Sequence, residues 1–190
     1  MIRRHSSKFK QGSFNNFCGV YSILNAFDHL LGDAFTSKIA KRLYTDLLRF
    51  IEAEFGSFAT LKGGLEPAEM RTLTKFAARA VCVEQPRRAI SVDRFRPQDE
   101  ITDVGGLLEL MDAELTNETI AIVGFEGRMN HWAVATGVED RALQVLDSDV
   151  RRKMNREEIK VGNNGNNRQR RKGDGLFFMP KQTILISVTE

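Results

Sequence analysis

A thiol, an imidazole and a carboxylate together can carry nucleophilic attack on a carbonyl, and this chain holds few candidates for the first two. Its cysteines are Cys18 and Cys82, and its histidines are His5, His29 and His131. Cys18 stands in QGSFNNFCGVYSILNA, Gln11 to Ala26, where a polar, turn-forming run meets an apolar one. Ser13, Asn15 and Asn16 favour caps and turns because their side chains bond nearby backbone amides. Beyond the cysteine, Val20, Ile23, Leu24 and Phe27 recur at the spacing of one helical stripe. Cys18 is therefore expected in or just before the first turn of a helix. There the open N–H groups and the positive end of the helix dipole stabilise a thiolate. The competing reading is a small buried hydrophobe with no chemistry, so the weight falls on whether partners exist elsewhere.

His131 is the histidine placed to be one. It follows the polar turn EGRMN and opens the strand-like run HWAVATGV, whereas His5 lies in a basic arm and His29 near the end of the first helix. A histidine at a helix C-terminus has a purely structural use. The next strand, Ala142 to Leu146, ends in Asp147. If the two strands form a hairpin around Asp140, position 131 faces 148 or 149, and side chains on either side come within reach. Asp147 can then accept a ring proton from His131 and hold its tautomer. Asp149 points to the same side and competes for that role.

Acyl transfer also needs donors aimed at the oxygen on which negative charge develops. The Cys18 backbone N–H is one candidate. Gln11, seven residues before the cysteine, is the natural side-chain donor, with Asn15 and Asn16 as alternatives.

A Gln, a Cys-Gly pair opening a helix, a distant His starting a strand and an Asp after the next strand follow the order of papain-like cysteine peptidases. QGSFNNFCGVYSILNA with HWAVATGVEDRALQVLDSD resembles their compact bacterial branch, which includes the leader-processing peptidase domains of bacteriocin exporters. The resemblance implies Cys18 as nucleophile, His131 as base, Asp147 as its orienter and Gln11 as oxyanion donor, acting on a peptide or protein substrate. Two departures stand out: the Gln-to-Cys interval is one residue longer than usual, and Ser148 replaces a Pro often found after the Asp. The His131-Trp132 pair also resembles transglutaminases, which use the same three residue types with Cys and His closer in sequence. A third reading keeps the fold as a non-catalytic binding module.

Positioning these residues requires helices first and strands after. Helices are expected from Cys18 to Leu31, ended by Gly32, and from a Thr36 or Ser37 cap to Phe55. A third is expected from Pro67 through Ala77, and a fourth from Val104 to Leu115. Strands are expected at 80–84, with Cys82 a packing residue, and at 88–95, 119–125, 131–138, 142–146, 176–179 and 183–188, with a weak one at 159–161. This order implies an α+β fold with the nucleophile helix on an antiparallel sheet. One domain is expected over 1–190, with a basic arm at 1–10 and a mobile loop at 162–173, GNNGNNRQRRKG.

The 190 residues suffice for a substantial core. Two distant cysteines give no disulfide framework, no apolar run reaches the roughly 18 residues of a membrane span, and no signal peptide is visible. The expectation is a cytoplasmic protein without a membrane partner. The net charge is +3, with clusters at Arg151–Lys153 and Arg168–Lys172 that lack stacking aromatics, so nucleic acid is not an expected partner. Neither a metal site nor a cofactor loop is expected from the ligand spacing or the glycines.

Overall fold

The computed structural model describes residues 8–10, 17–56, 63–97, 101–127, 130–148, 152–162 and 176–189. Helix α1 runs Cys18–Leu31 and buries Val20, Ile23, Leu24 and Phe27, the stripe expected from their spacing. It stops at Gly32, whose φ of 55° is left-handed backbone that glycine adopts without strain. Helix α2, Ser37–Glu54, starts at Thr36, whose hydroxyl accepts the Ile39 N–H at 3.3 Å. Helix α3 covers Pro67–Glu84 and opens with a reciprocal capping box, in which the Glu66 N–H donates to Glu69 Oε2 at 2.8 Å.

The length of α3 corrects one expectation. Ala80 to Glu84 is the last turn of this helix, not a strand. Val81 and Val83 favour strands intrinsically, but Val81 extends the buried stripe of Met70, Leu73 and Ala77, and tertiary packing decides. Val83 points outward and is 78% exposed. Pro86 enforces the stop by disfavouring helical backbone at the residue before it, and Gln85 sits at φ −130°, ψ 65°. Cys82 is half-buried on this helix.

The remaining elements are strand β1 (Ala89–Arg94), helix α4 (Val104–Glu114), and strands β2 (Thr119–Gly127), β3 (His131–Glu139), β4 (Ala142–Leu146), β5 (Lys153–Asn155), β6 (Ile159–Val161), β7 (Leu176–Phe178) and β8 (Ile184–Thr189). Asp103 caps α4 by accepting the Gly105 and Gly106 N–H groups at 2.7 and 3.1 Å. The eight strands form one sheet in the order β1-β8-β2-β3-β4-β5, with β7 joining β2 and β6 joining β7. The fold is α+β. Its sheet departs from pure antiparallel pairing only where β6 and β7 run parallel. Strand β5 escapes sequence reading because Met154 is its one fully buried residue. Gly162, expected in a loop, is buried and its N–H donates to the Phe178 carbonyl at 2.8 Å. The basic stretch beyond it, like Arg151, lies outside the described residues.

Alternation along β2 explains the layers. Ile120 and Ile122 face α1, α2 and α3, and share their core with Val134, Ile184 and Ile186. Ala121, Val123 and Phe125 face the other way, toward Leu107, Leu108 and Met111 of α4. Period-2 geometry permits this only when both faces are covered. The sheet is thus held between helices, and α1 lies directly on β3.

Candidate active site

Cys18 is the first residue of α1 and is 7% exposed. The first helical bond runs from the Tyr21 N–H to the Phe17 carbonyl, so the N–H groups of Cys18, Gly19 and Val20 precede the intrahelical ladder. Among the described residues no side-chain cap bond forms at Phe17. Gly19 lets this first turn press against its surroundings. A Cβ there would come within 2.8 Å of Leu65 Cδ1 and Met70 Sδ, and 3.5 Å of Trp132 Cδ1. One turn on, the buried Ser22 hydroxyl donates to the Trp132 carbonyl at 2.9 Å. The Trp132 indole N–H in turn donates to the Leu65 carbonyl at 3.0 Å. These contacts fix the head of α1 to the residue that follows His131.

His131 opens β3, opposite Phe125 of β2. The β3–β4 hairpin turns at Asp140 and Arg141, both left-handed at φ 51° and 59°, the two-residue turn whose twist suits antiparallel strands. The ladder pairs Val134 with Leu146 after an irregularity between Ala135 and Gly137. Continued one residue outward, that register sets Asp147 opposite Ala133, which makes it the diagonal neighbour of His131 on the same face. The side chains meet: His131 Nε2 lies 2.6 Å from Asp147 Oδ1, with the carboxylate fully buried and the ring 9% exposed.

Burial alone would lower the His131 pKa. The hydrogen bonds that the ring donates to Asp147 and to Cys18, with the negative charge of both partners, outweigh it and raise the value from 6.5 to about 10. Both partners thus favour the protonated ring, with Nε2 donating to Asp147. Nδ1 is the ring nitrogen left for Cys18.

Cys18 and His131 line a cleft of about 370 Å³, with Asp147 buried behind the ring. One wall is the segment from Gly63 to Pro67; the other is the end of β2 from Gly124 to Gly127, with Gln182 beside it. Of the residues expected at the site, the fold brings Cys18, His131 and Asp147 together. Gln11, Asn15, Asn16 and Asp149 lie outside the described residues. Sequence reading missed Ser22, Leu65, Gly124 and Gln182, all of which reach the site through tertiary contact. Only Gly124, a glycine inside an apolar strand run, carried a local hint of close approach.

Among the described residues no cluster of three metal-ligating side chains occurs, and no helix is long and apolar enough to cross a membrane. No protein-family model and no curated protein matches the chain. Among solved structures, the chain is similar to the peptidase domain of Streptococcus ComA, a bi-functional ABC transporter involved in a quorum sensing pathway. That likeness has a TM-score of 0.46 at 13% identity, and covers 95% of this chain and 96% of that one.

Proposed function

We propose that the chain is a single papain-like cysteine peptidase domain acting on a peptide or protein. The observation that carries this reading is the His131 Nε2–Asp147 Oδ1 bond of 2.6 Å in a cleft that Cys18 also lines. A buried carboxylate on one ring nitrogen leaves the other facing a thiol at a helix start, which is an arrangement for holding a thiolate beside an imidazolium. Cys18 Sγ attacks the scissile carbonyl, and the oxyanion is met by the Cys18 N–H with Gln11, Asn15 or Asn16 as second donor. The His131 imidazolium gives its Nδ1 proton to the leaving amine and becomes neutral. It then takes a proton from water, whose hydroxide attacks the thioester and releases the carboxylic acid and the Cys18 thiolate beside the restored imidazolium.

The test is a digest of a pooled peptide library by the parent and by Cys18→Ala, read by mass spectrometry. New termini that appear with the parent and vanish with Cys18→Ala are the expected result. Equal cleavage by both proteins would reject a thiol mechanism.

A further inference from the structure

The cleft contains a polar side chain that the proposed chemistry does not use. Gln182 ends a short 3₁₀ turn, Pro180–Gln182, between β7 and β8. The turn is pinned to β2 at the level of the cleft. The Met179 N–H donates to the Gly124 carbonyl at 3.0 Å, and the Gln182 N–H to the Met179 carbonyl at 3.0 Å. The side chain is fixed as firmly as the backbone, because Nε2 donates to Glu126 Oε1 at 2.6 Å. Only the amide nitrogen can donate to a carboxylate, so this bond also settles which end of the carboxamide is the oxygen.

Gly124 completes the arrangement. A Cβ at that position would lie 2.5 Å from Gln182 Oε1 and 3.1 Å from Trp132 Cζ3. Gly124 and Glu126 are two apart on β2 and share a face: Glu126 orders the amide and Gly124 leaves it room. Among the described residues no donor bonds Oε1, and Gln182 lines the same cleft as Cys18 and His131.

We propose that Gln182 is a specificity-determining residue, whose side-chain carbonyl accepts a hydrogen bond from an N–H of the peptide close to the scissile bond. This rests on the reading of Cys18 as the nucleophile of the cleft. The ordering of the amide is complete before the peptide arrives, so little conformational freedom is lost when the bond forms. The rival role is a staple that only holds the 3₁₀ turn on β2, and it would affect stability without discriminating among reagents.

Two alkylating reagents separate the roles. A peptidyl chloromethyl ketone, chosen as the fastest of a small set on the parent, must occupy the cleft to reach Cys18, whereas iodoacetamide needs only the thiol. Full-length parent, Gln182→Met and Gly124→Ala are compared, with thermal unfolding recorded for each. Gln182→Asn is held in reserve should Met at 182 prevent folding, since it keeps the amide and withdraws the carbonyl by one methylene. The expected result is a loss of about 10-fold in the peptidyl rate, the equivalent of one hydrogen bond, with the iodoacetamide rate unchanged. Equal loss with both reagents, or loss with neither, overturns the assignment. A parent thiol that iodoacetamide modifies no faster than free cysteine overturns the nucleophile reading and this inference with it, and is recognisable because it needs no variant.

Discussion

His131 and Asp147 are joined edge to edge across the mouth of the β3–β4 hairpin, Nε2 to Oδ1 at 2.6 Å, with the carboxylate fully withdrawn from solvent. The bond sets the ring's orientation and its charge at once. With Nε2 committed to the carboxylate, Nδ1 is the ring nitrogen that remains to face Cys18.

Activity that needs the imidazolium should fall as pH rises through about 10, the value to which Asp147 and Cys18 raise His131 against the effect of burial. Asp147→Asn removes a raising contribution, so the alkaline limb should move down and kcat/KM should drop about 10²-fold at neutral pH. Rates across pH 5 to 11, with a ring-proton titration by NMR, provide the check. An alkaline limb unmoved in the variant would show that Asp147 does not govern the ring.

The same shift has a consequence for stability, with a definite sign. The folded pKa is above the unfolded one, so the protonated ring stabilises the fold fully below pH 6.5, and the contribution is lost between 6.5 and about 10. Urea unfolding of the parent and His131→Phe at pH 6, 8 and 10 should show the parent's relative stability falling steadily. A pH-independent difference between the two proteins would contradict the linkage.

Two changes at the head of α1 should loosen the thiol while leaving it present. Gly19→Ala forces a Cβ against Leu65 Cδ1 and Met70 Sδ at 2.8 Å, an overpacking worth about 1–3 kcal/mol. Ser22→Ala deletes the buried bond to the Trp132 carbonyl, at about 1 kcal/mol. Both should lower kcat more than they raise KM, measured alongside chemical denaturation. Unchanged kcat in both variants would mean that the helix head tolerates displacement.

Arg141→Gly should stabilise the protein. Arg141 is a residue with a Cβ at φ 59° in a two-residue turn, where glycine is favoured and the left-handed conformation costs about 1 kcal/mol. A higher unfolding midpoint with unaltered slope is the expected outcome; a lower one would mean that the arginine side chain contributes more than the strain it bears.

The parts of the site legible in the sequence are those set by local chemistry. The Cys18 helix follows from its apolar stripe, and the His131–Asp147 meeting follows from counting outward from a two-residue turn. That count tolerated the irregularity near Gly137 because a diagonal neighbour is as accessible as a direct one. What stayed hidden depends on distant contacts. Val81 reads as strand until Met70, Leu73 and Ala77 recruit it to a helix face. The parallel pairing of β6 with β7 leaves no mark on the alternation of either. Gln182 looks like an ordinary polar residue after a proline until Gly124 and Glu126 fix its amide.

The sheet order has a consequence in time. The His131–Asp147 contact closes a loop of 16 residues, whereas the Ser22–Trp132 bond that seats α1 closes one of 110. Short loops close at lower entropic cost than long ones. The His131 ring and the Asp147 carboxylate can thus meet early, while Cys18 reaches them only when α1 docks. Until that docking Cys18 has no imidazole beside it, and under the proposed function the reactive thiol arrives together with the native fold.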